Sequence, residues 1–403
     1  MRTRPKHIAL FGNFGSNNLG NEASLKAMLD FIRRARPHTK VTCVCYGPDR
    51  ARAEHDVPAI PIKLALPEIW WFAIVNRLLA GLPLRLTDFV RALYLARKFD
   101  LFIVPGTGIL DDFSERWQGL PFDLFKWSVA AKLNRRPFAL VSVGAGPIHH
   151  PVSRWLMVLA ARLAIYRSYR DDISKNFVRT VGLLTQDDLV FPDLVFNLRA
   201  PNSPHSGIQN GRSPVIGVGV MDYYGWDSGS KRRSQIHETY VGGLTQFICW
   251  LLEHGYRVRL LLGELSDKQS FDEVVQRVTL QCGSRAAALL LAEPAHSLED
   301  LMYQIGETEL IVATRFHNIV AALMMGRSAI SVGYADKNSV LLAEVGLGAF
   351  CQTIEEFDAE RLIAQFEEVF HGRDQFSDRI RNAMPEFRRR LERQEAYLLE
   401  NLL

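Results

Sequence analysis

The chain has 403 residues, of which 48% are hydrophobic and 23% are charged. This is the composition of a globular protein, and the length leaves room for two α/β domains. The formal net charge is only +4, a mild basic excess that suits an anionic small ligand or an anionic membrane surface. No motif for nucleic-acid recognition is present, which argues against that class of partner.

Strands and helices alternate through the first half of the chain. Apolar runs and helical spacing predict strands at 7–12, 41–46, 101–104, 139–143 and 189–191, and helices at 21–34, 122–134 and 154–165. A polar stretch rich in Pro, Gly, Asn and Ser at 200–214 then interrupts the pattern. Because such composition is typical of turns, we predict a linker there.

A second alternating series follows this stretch. It predicts strands at 215–220, 257–262, 287–291, 310–313 and 329–333, helices at 238–254, 270–280 and 318–325, and a further helix opened by a capping box at Ser297 and Asp300. A charged helix is predicted from Pro385 onward. The series predicts an N-terminal Rossmann-like domain at 1–200, a linker at 201–213, a C-terminal Rossmann-like domain at 214–375, and a helix at 376–403 that packs back on the first domain.

Strands separated by helices imply parallel sheets with right-handed crossovers. The predicted fold class is therefore α/β, with two doubly wound domains and a cleft between them. Ligands of such sheets bind beyond the carboxyl ends of the strands, so the loops that follow the strands are the candidate site. We predict that three groups of loops contribute to it.

The first group follows the first strand and contains Gly12, Asn13, Gly15, Asn18 and Gly20. Glycines let a ligand approach the chain closely, and the helix that follows offers an anion site at its N-terminus. The spacing is neither that of a Rossmann dinucleotide motif nor that of a P-loop. The alternative is an ordinary tight turn between a strand and a helix.

The second group comprises two glycine-rich strand ends, which should line the same edge of the sheet. They contribute Gly106, Gly108 and Asp111 after one strand and Gly144 and Gly146 after the next. Arg170 follows later and suits bidentate binding of a carboxylate or phosphate. An Arg–Asp surface pair with little energetic value is the alternative.

The third group follows the strand at 310–313. Arg315 and His317 stand two residues apart in an extended segment, so their side chains project to the same side. A permanent cation beside a titratable imidazole suits a reaction that binds an anion and moves a proton. Asn318 flanks them, and Lys337 follows the next strand, either to reach the same anion or as part of a solvated turn.

Two aromatic segments remain open to interpretation. Tyr223, Tyr224 and Trp226 either offer a stacking face to a sugar, with residues 231–233 meeting a diphosphate, or cap the edge of a core. Trp70, Trp71 and Phe72, with Arg77 and Arg85 nearby, suit contact with lipid. The segment at 69–80 is too short to span a bilayer, which needs about 20 apolar residues, and we predict a buried helix there.

The five cysteines (Cys43, Cys45, Cys249, Cys282 and Cys351) are scattered and mostly lie in apolar runs. Their spacing fits neither a zinc site nor a thioredoxin motif, so we expect free thiols that fill the core in a reducing compartment. The N-terminus lacks the apolar run of a signal peptide. We therefore expect a cytoplasmic protein that binds no metal.

Taken together, the loops resemble the polysaccharide pyruvyl transferase family, whose members are similar in fold to GT-B glycosyltransferases. The family pattern Gly-Asn-x-Gly-x-x-Asn-x-Gly-Asp-Glu-Ala is matched at 12–23, with Asn21 in place of the usual Asp. Other family elements resemble 106–111, where Pro-Gly-Thr-Gly replaces a triple glycine, and 144–148, 170–174 and 193–198. The signatures Arg-x-His-x-x-x-x-Ala and Tyr-x-x-Lys correspond to 315–322 and 334–337.

The resemblance implies an enzyme that moves the pyruvyl group of phosphoenolpyruvate onto a sugar as a ketal, with no cofactor. The sugar belongs to a polysaccharide or to its lipid-linked precursor, which would bring the enzyme to the inner face of the membrane. We expect His317 to act as general acid and Arg315, Arg170, Lys337 and Asn318 to bind the donor. Glu22 and Asp111 are candidates for the base, while the glycine loops, Tyr223 and Trp226 would hold the acceptor or its phosphate. The alternatives are a nucleotide-sugar glycosyltransferase and a non-catalytic ligand-binding protein on the same fold.

Overall fold

The computed structural model describes residues 6–66, 69–79, 81–113, 115–201, 213–226 and 230–403. The chain divides into two compact units. The first comprises Met1–Ser16, Ser24–Leu194 and Arg390–Leu403, and the second comprises Asn17–Ala23 and Val195–Arg389. The predicted linker at 201–213 lies, apart from its two end residues, outside the described residues.

A parallel sheet of seven strands forms the centre of the first unit. Its strands are β1 (His7–Gly12), β2 (Lys40–Cys45), β3 (Ala59–Pro61), β4 (Leu101–Pro105), β5 (Phe138–Val143), β6 (Tyr166–Tyr169) and β7 (Leu189–Val190). The helices from this half of the chain are α1 (Leu19–Ala35), α2 (Pro48–His55), α3 (Trp70–Leu78), α4 (Leu82–Ala96), α5 (Leu120–Leu133), α6 (Pro151–Leu163) and α7 (Asp172–Thr180). The strand order is β3-β2-β1-β4-β5-β6-β7.

The central strands of this sheet are apolar because helices cover both of their faces. Every residue of β4 and β5 is buried. Trp127 of α5 packs its ring against those of Phe11 and Phe102, at centroid distances of 6.5 and 6.0 Å. The five strands predicted in this half of the chain are confirmed to within one residue at each end.

The second unit contains a parallel sheet of six strands. They are β8 (Val215–Val220), β9 (Arg257–Leu262), β10 (Leu290–Leu291), β11 (Leu310–Ala313), β12 (Ser328–Gly333) and β13 (Cys351–Thr353). The helices are α8 (Ser230–Glu253), α9 (Lys268–Ala287), α10 (Leu298–Gly306), α11 (Phe316–Met324), α12 (Lys337–Ala343), α13 (Ala359–His371) and α14 (Arg373–Asn401). The strand order is β10-β9-β8-β11-β12-β13.

Both sheets therefore follow the doubly wound order in which the third, second and first strands are followed by the fourth, fifth and sixth. The predicted class of two parallel α/β domains is confirmed. In each sheet the direction of winding reverses between the first and fourth strands, at β1 and β4 in the first unit and at β8 and β11 in the second. The loops beyond these strand pairs are where ligands bind in such sheets.

The C-terminal helix begins earlier than the sequence predicts. The sequence predicts a charged helix from Pro385 within a terminal segment at 376–403, whereas α14 begins at Arg373 and holds Pro385 in its interior. A proline inside a helix forfeits one backbone hydrogen bond, which is why it was read as a helix start. Its last part belongs to the first unit, where the Gln394 side chain bonds to the hydroxyls of Ser142 and Ser168.

The prediction of a buried helix at 69–80 is wrong. Trp70 is 76% exposed and Leu78 is 77% exposed, so α3 presents large apolar side chains outward. The apolar sequence predicts burial because large apolar side chains are most often found in the core. Among the described residues, no helix is both long and apolar enough to cross a membrane.

The prediction of five free thiols is wrong for one pair. Cys249 of α8 and Cys282 of α9 form a disulfide, with Cα atoms 6.0 Å apart. The two helices pack side by side and bring together cysteines that are 33 residues apart in sequence. Cys43, Cys45 and Cys351 are not part of a disulfide among the described residues, as predicted, and burial raises the pKa of Cys351 to about 11.

Replacing Cys249 and Cys282 together by serine is expected to lower the free energy of unfolding by about 2–4 kcal/mol, because the bridge restricts the unfolded chain. Chemical denaturation of the oxidised protein and of the double variant measures the difference. Adding a reductant to the parent protein should reproduce the loss and should leave the variant unchanged. A parent denaturation midpoint that is insensitive to reductant would contradict the expectation.

Candidate functional site

The loop after β1 is held by packing of the chain on itself. Gly15 has a φ of +71°, and a Cβ there would overlap the carbonyl of Gly47. A Cβ at Gly12 would overlap the ring of Phe14, and the Ser16 hydroxyl donates to the carbonyl of Asn13 at 2.9 Å. The tight turn that we considered as the alternative therefore accounts for both glycines without a ligand.

The loops after β4 and β5 lie side by side. The N–H of Gly144 donates to the carbonyl of Thr107 at 2.7 Å, and the N–H of Leu110 donates to the carbonyl of Gly144 at 3.2 Å. Gly106 and Thr107 both have left-handed backbone angles, with φ values of +59° and +66°. For Thr107 this conformation is strained, and such strain concentrates at functional sites.

Asp111 lies between two of the glycines in these loops. Its Oδ2 would be 2.9 Å from a Cβ at Gly108, and its own Cβ would be 3.2 Å from one at Gly146. Burial raises the pKa of Glu115, four residues further along, and the charge of Asp111 contributes to the shift. The sequence analysis did not select Glu115 as a candidate site residue, although it lies in the same loop as Asp111.

Arg170 is a buried cation, not half of a surface ion pair. Its side chain is 5% exposed, and its guanidinium lies 3.5 Å from Asp171 and 3.6 Å from Asp193. A Cβ at Gly144 would be 2.6 Å from the same guanidinium. The glycine therefore makes room for the arginine, whose charge is already faced by two carboxylates.

In the second unit, the first turn of α1 is organised by Asn18. Its side-chain carbonyl accepts from the N–H groups of Gly20 and Asn21, both at 3.1 Å, as an N-cap residue does. Its amide nitrogen donates to Glu264 at 2.9 Å. Glu22 is buried in the same turn, and its N–H donates to the backbone carbonyl of Asn18.

Arg315 lies immediately before α11 and is fixed by two carboxylates. It donates to both oxygens of Asp267, at 2.5 and 2.8 Å, and lies 2.7 Å from Glu264. Burial acts to lower the pKa of Arg315, but the charges of Asp267 and Glu264 outweigh it and raise the pKa. The arginine remains a cation, and two carboxylates surround its one positive charge.

His317 lies in the first turn of α11 and is only partly buried. Its ring is perpendicular to that of Phe316, with centroids 5.2 Å apart. A Cβ placed on Gly20 would overlap the ring, with Nδ1 as the nearest atom. Gly20 is therefore a glycine because the imidazole occupies the space of its side chain.

Asn318 is fully buried between two glycines at strand ends. A Cβ at Gly219 would be 2.7 Å from its amide nitrogen, and a Cβ at Gly263 would be 2.5 Å from its amide oxygen. Neither polar atom has a hydrogen-bond partner among the described residues. Buried amides normally have hydrogen-bond partners, so leaving this one without them is energetically costly, which makes Asn318 a candidate for binding a ligand.

Lys337 opens α12 and belongs to an aromatic group. Its ammonium bonds to the hydroxyl of Tyr334 and lies 4.3 Å from the centre of that ring. Trp226 and Tyr223 flank Tyr334, with ring centroids 6.1 and 6.0 Å away. No carboxylate lies within ion-pair distance of Lys337 in the part of the chain that the structure describes.

The predicted stacking face is only partly realised. Tyr223 is buried and donates its hydroxyl to Glu355 at 2.9 Å, so its ring belongs to the core edge. Tyr224 stacks on His237 with centroids 4.3 Å apart. Trp226, like the buried Tyr223, lies beside the ring of Tyr334, which bonds to Lys337.

Two carboxylates of the second unit that hold a candidate site residue were not selected from the sequence. Glu264 and Asp267 follow the end of β9, and both bind Arg315. The rule that selected the loops after β8, β11 and β12 applies equally to this one. The strand β9 was predicted correctly, and the two acidic residues in the loop that follows it could have been selected by the same rule.

The two sheets and the loops beyond them define a GT-B-like α/β protein. Similar structures include the Anabaena protein HepE in complex with UDP, with 16% identity, 98% of this chain and 100% of that chain covered, and a TM-score of 0.62. The UDP complex of S. aureus MnaA shares 9% identity with this chain, covers 94% of this chain and 91% of its own, and has a TM-score of 0.59. UDP-GlcNAc 2-epimerase from Neisseria meningitidis bound to UDP-GlcNAc has 12% identity, coverage of 96% and 99%, and a TM-score of 0.55.

The sequence specifies the family more narrowly than the fold does. The family model described as polysaccharide pyruvyl transferase matches residues 18–336. The chain belongs to this enzyme family, as the loops predicted. A comparison of the sequence with curated proteins finds no match.

Proposed function

We propose that the protein transfers the pyruvyl group of phosphoenolpyruvate to two hydroxyls of one sugar in a polysaccharide or its lipid-linked precursor. The observation that carries the proposal is the family match over 18–336, which includes His317 beside Arg315. The methylene carbon gains a proton and becomes a methyl group. At the neighbouring carbon, the bond to the phosphate oxygen breaks and two hydroxyl oxygens form bonds in its place. The two hydroxyl groups release two protons. One replaces the proton that the methyl group has taken up, and the other leaves with phosphate.

His317 is proposed as the general acid that protonates the methylene carbon. Its partly buried position at a helix start, next to a permanently charged arginine, supports this role. Positive charge develops at the neighbouring carbon as the proton arrives. The carboxylates of Glu264 and Asp267, which hold Arg315, suit stabilisation of such a cation.

The donor carries a carboxylate and a phosphate, so cations must bind it. Arg315 and Arg170 are proposed for this role with Asn318, but each arginine already faces two carboxylates. Lys337 is held by an aromatic hydroxyl instead. We therefore assign the largest share of donor charge to Lys337, because adding an anion beside it meets the least repulsion.

The acceptor is assigned to the glycine-rich loops of the first unit, and the base that takes its hydroxyl protons is Glu22 or Asp111. Asp111 is supported by its place between Gly108 and Gly146, where the absence of side chains lets a sugar hydroxyl come close. Glu22 is supported by its burial in the turn beside the family's glycine pattern. No metal or cofactor takes part in the proposed reaction.

The competing function is transfer of a sugar from a nucleotide donor, since the structural neighbours named above were solved with UDP or UDP-GlcNAc. A donor panel separates the two. The purified chain is incubated with a set of glycans and either phosphoenolpyruvate or nucleotide sugars. Release of phosphate that depends on the glycan supports the proposal, whereas glycan-dependent release of a nucleoside diphosphate contradicts it.

A further inference from the structure

The hairpin of α3 and α4 forms an exposed apolar surface in the first unit. More than half of the large hydrophobic side chains that are exposed among the described residues fall between Leu66 and Tyr94. Trp70 and Leu78 are the most exposed, at 76% and 77%, and Leu86 and Val90 continue the surface along α4. A concentration of exposed large apolar side chains in one segment is typical of an interaction surface.

The charge of this hairpin is one-sided. Between residues 69 and 98 the basic residues are Arg77, Arg85, Arg91, Arg97 and Lys98, and the only acidic residue is Asp88. Asp88 is buried, bonded to Lys126 at 2.5 Å and to Arg91 at 3.2 Å. Apart from this buried carboxylate, residues 69–98 offer only basic charges, so the hairpin combines exposed apolar side chains with an excess of basic residues.

We propose that this hairpin, described at residues 69–79 and 81–98, binds the surface of an anionic lipid bilayer. Its apolar side chains would enter the boundary between the headgroups and the acyl chains, while its basic residues would contact the anionic headgroups. Tryptophan and tyrosine favour this boundary because their rings are apolar and their N–H and O–H groups stay wet. With 9 and 15 residues, α3 and α4 suit a position along the surface, because a span needs about 20 residues.

A second copy of the chain fits the surface less well. A two-fold interface places the same patch on both sides, so the Arg77 and Arg85 side chains of both copies would lie in one apolar interface. Like charges brought together in an apolar interface oppose association, whereas anionic headgroups neutralise them. The charge distribution thus selects the bilayer over self-association.

Vesicle co-sedimentation with the full chain tests this inference without any substrate. Vesicles of phosphatidylcholine alone are compared with mixed vesicles that also contain phosphatidylglycerol. We expect the chain to sediment with the mixed vesicles and to be released by high salt, which screens headgroup charge. Bromine-labelled lipids should quench its tryptophan fluorescence, and replacing Trp70 and Trp71 by serine should abolish that quenching.

Two pairs of substitutions test the two components of the surface. Arg77→Glu with Arg85→Glu should weaken partitioning by at least roughly thirtyfold, because the loss of two arginines alone accounts for that factor and the added glutamates repel the anionic surface. Trp70→Ser with Trp71→Ser should weaken it by at least about tenfold. The matched controls are Trp155→Ser and Arg179→Glu, which alter an exposed tryptophan and an exposed arginine on α6 and α7. Unchanged circular dichroism and melting temperature show that each variant folds.

A parent chain that stays in solution with every vesicle would overturn the proposal, as would hairpin variants that bind as well as the controls. If sedimentation equilibrium instead shows a dimer that these substitutions dissociate, and no vesicle binding, the surface belongs to a second copy. All hairpin variants should still act on a water-soluble acceptor glycan. Failure of the vesicle experiment is therefore distinguishable from failure of the proposed reaction.

Discussion

Replacing His317 by alanine is expected to lower the rate of phosphate release from phosphoenolpyruvate by about two to four orders of magnitude, because the methylene carbon would lose its general acid. The side chain is partly exposed at the start of α11 and is not part of the hydrophobic core. The variant should therefore keep its fold. Initial rates at saturating donor and acceptor, with circular dichroism as the check on folding, measure the effect.

His296→Ala is the matched control, because His296 is an exposed histidine of the same unit. It should leave the rate unchanged. If the His317 variant retains the parent rate, a different group supplies the proton. If the parent chain turns over no donor and both variants still support its role in the cell, the chain is a binding protein that has kept the fold.

Replacing Gly20 by alanine is expected to have an effect almost as large. Alanine favours a helix over glycine by about 1 kcal/mol, so propensity alone predicts a more stable protein. The added methyl group, however, would overlap the His317 ring and force it to move. A displacement of about 1 Å in a catalytic group costs on the order of a hundredfold in rate.

Gly242→Ala is the matched control for this prediction. Gly242 lies within α8, and a Cβ there would meet nothing within 4 Å. It should leave the rate unchanged and the helix slightly more stable. A double variant adds a stricter test: with His317 already replaced by alanine, Gly20→Ala should cause no further loss, since the two changes act through one side chain. Additive losses would show that Gly20 acts by another route.

The regular part of the fold was predictable because parallel sheets place apolar runs in buried strands. The strands β1, β8, β9 and β11 have the predicted bounds. Three of them are nearly uninterrupted apolar runs, and β9 carries Arg257 and Arg259 before three consecutive leucines. By contrast β6 was missed, because Arg167 and Ser168 break its apolar pattern. There the sheet pairing and an ion pair with Asp188 compensate for the polar residues.

Contacts between distant residues were not predictable from local pattern. The Cys249–Cys282 bridge depends on how α8 and α9 pack, which cysteine spacing does not encode. The carboxylates around Arg315 come from another loop, so the sequence identified the cation but not its partners. Exposure of α3 likewise depends on what the rest of the chain leaves uncovered.

The most direct measurement follows the atoms of the donor in heavy water. The chain is incubated with an acceptor glycan and phosphoenolpyruvate whose bridging oxygen is ¹⁸O. The account predicts that the product ketal carries one deuterium in its methyl group and that the labelled oxygen leaves in phosphate. Label retained in free pyruvate, or a glycan modified only when a nucleotide sugar is supplied, would contradict it.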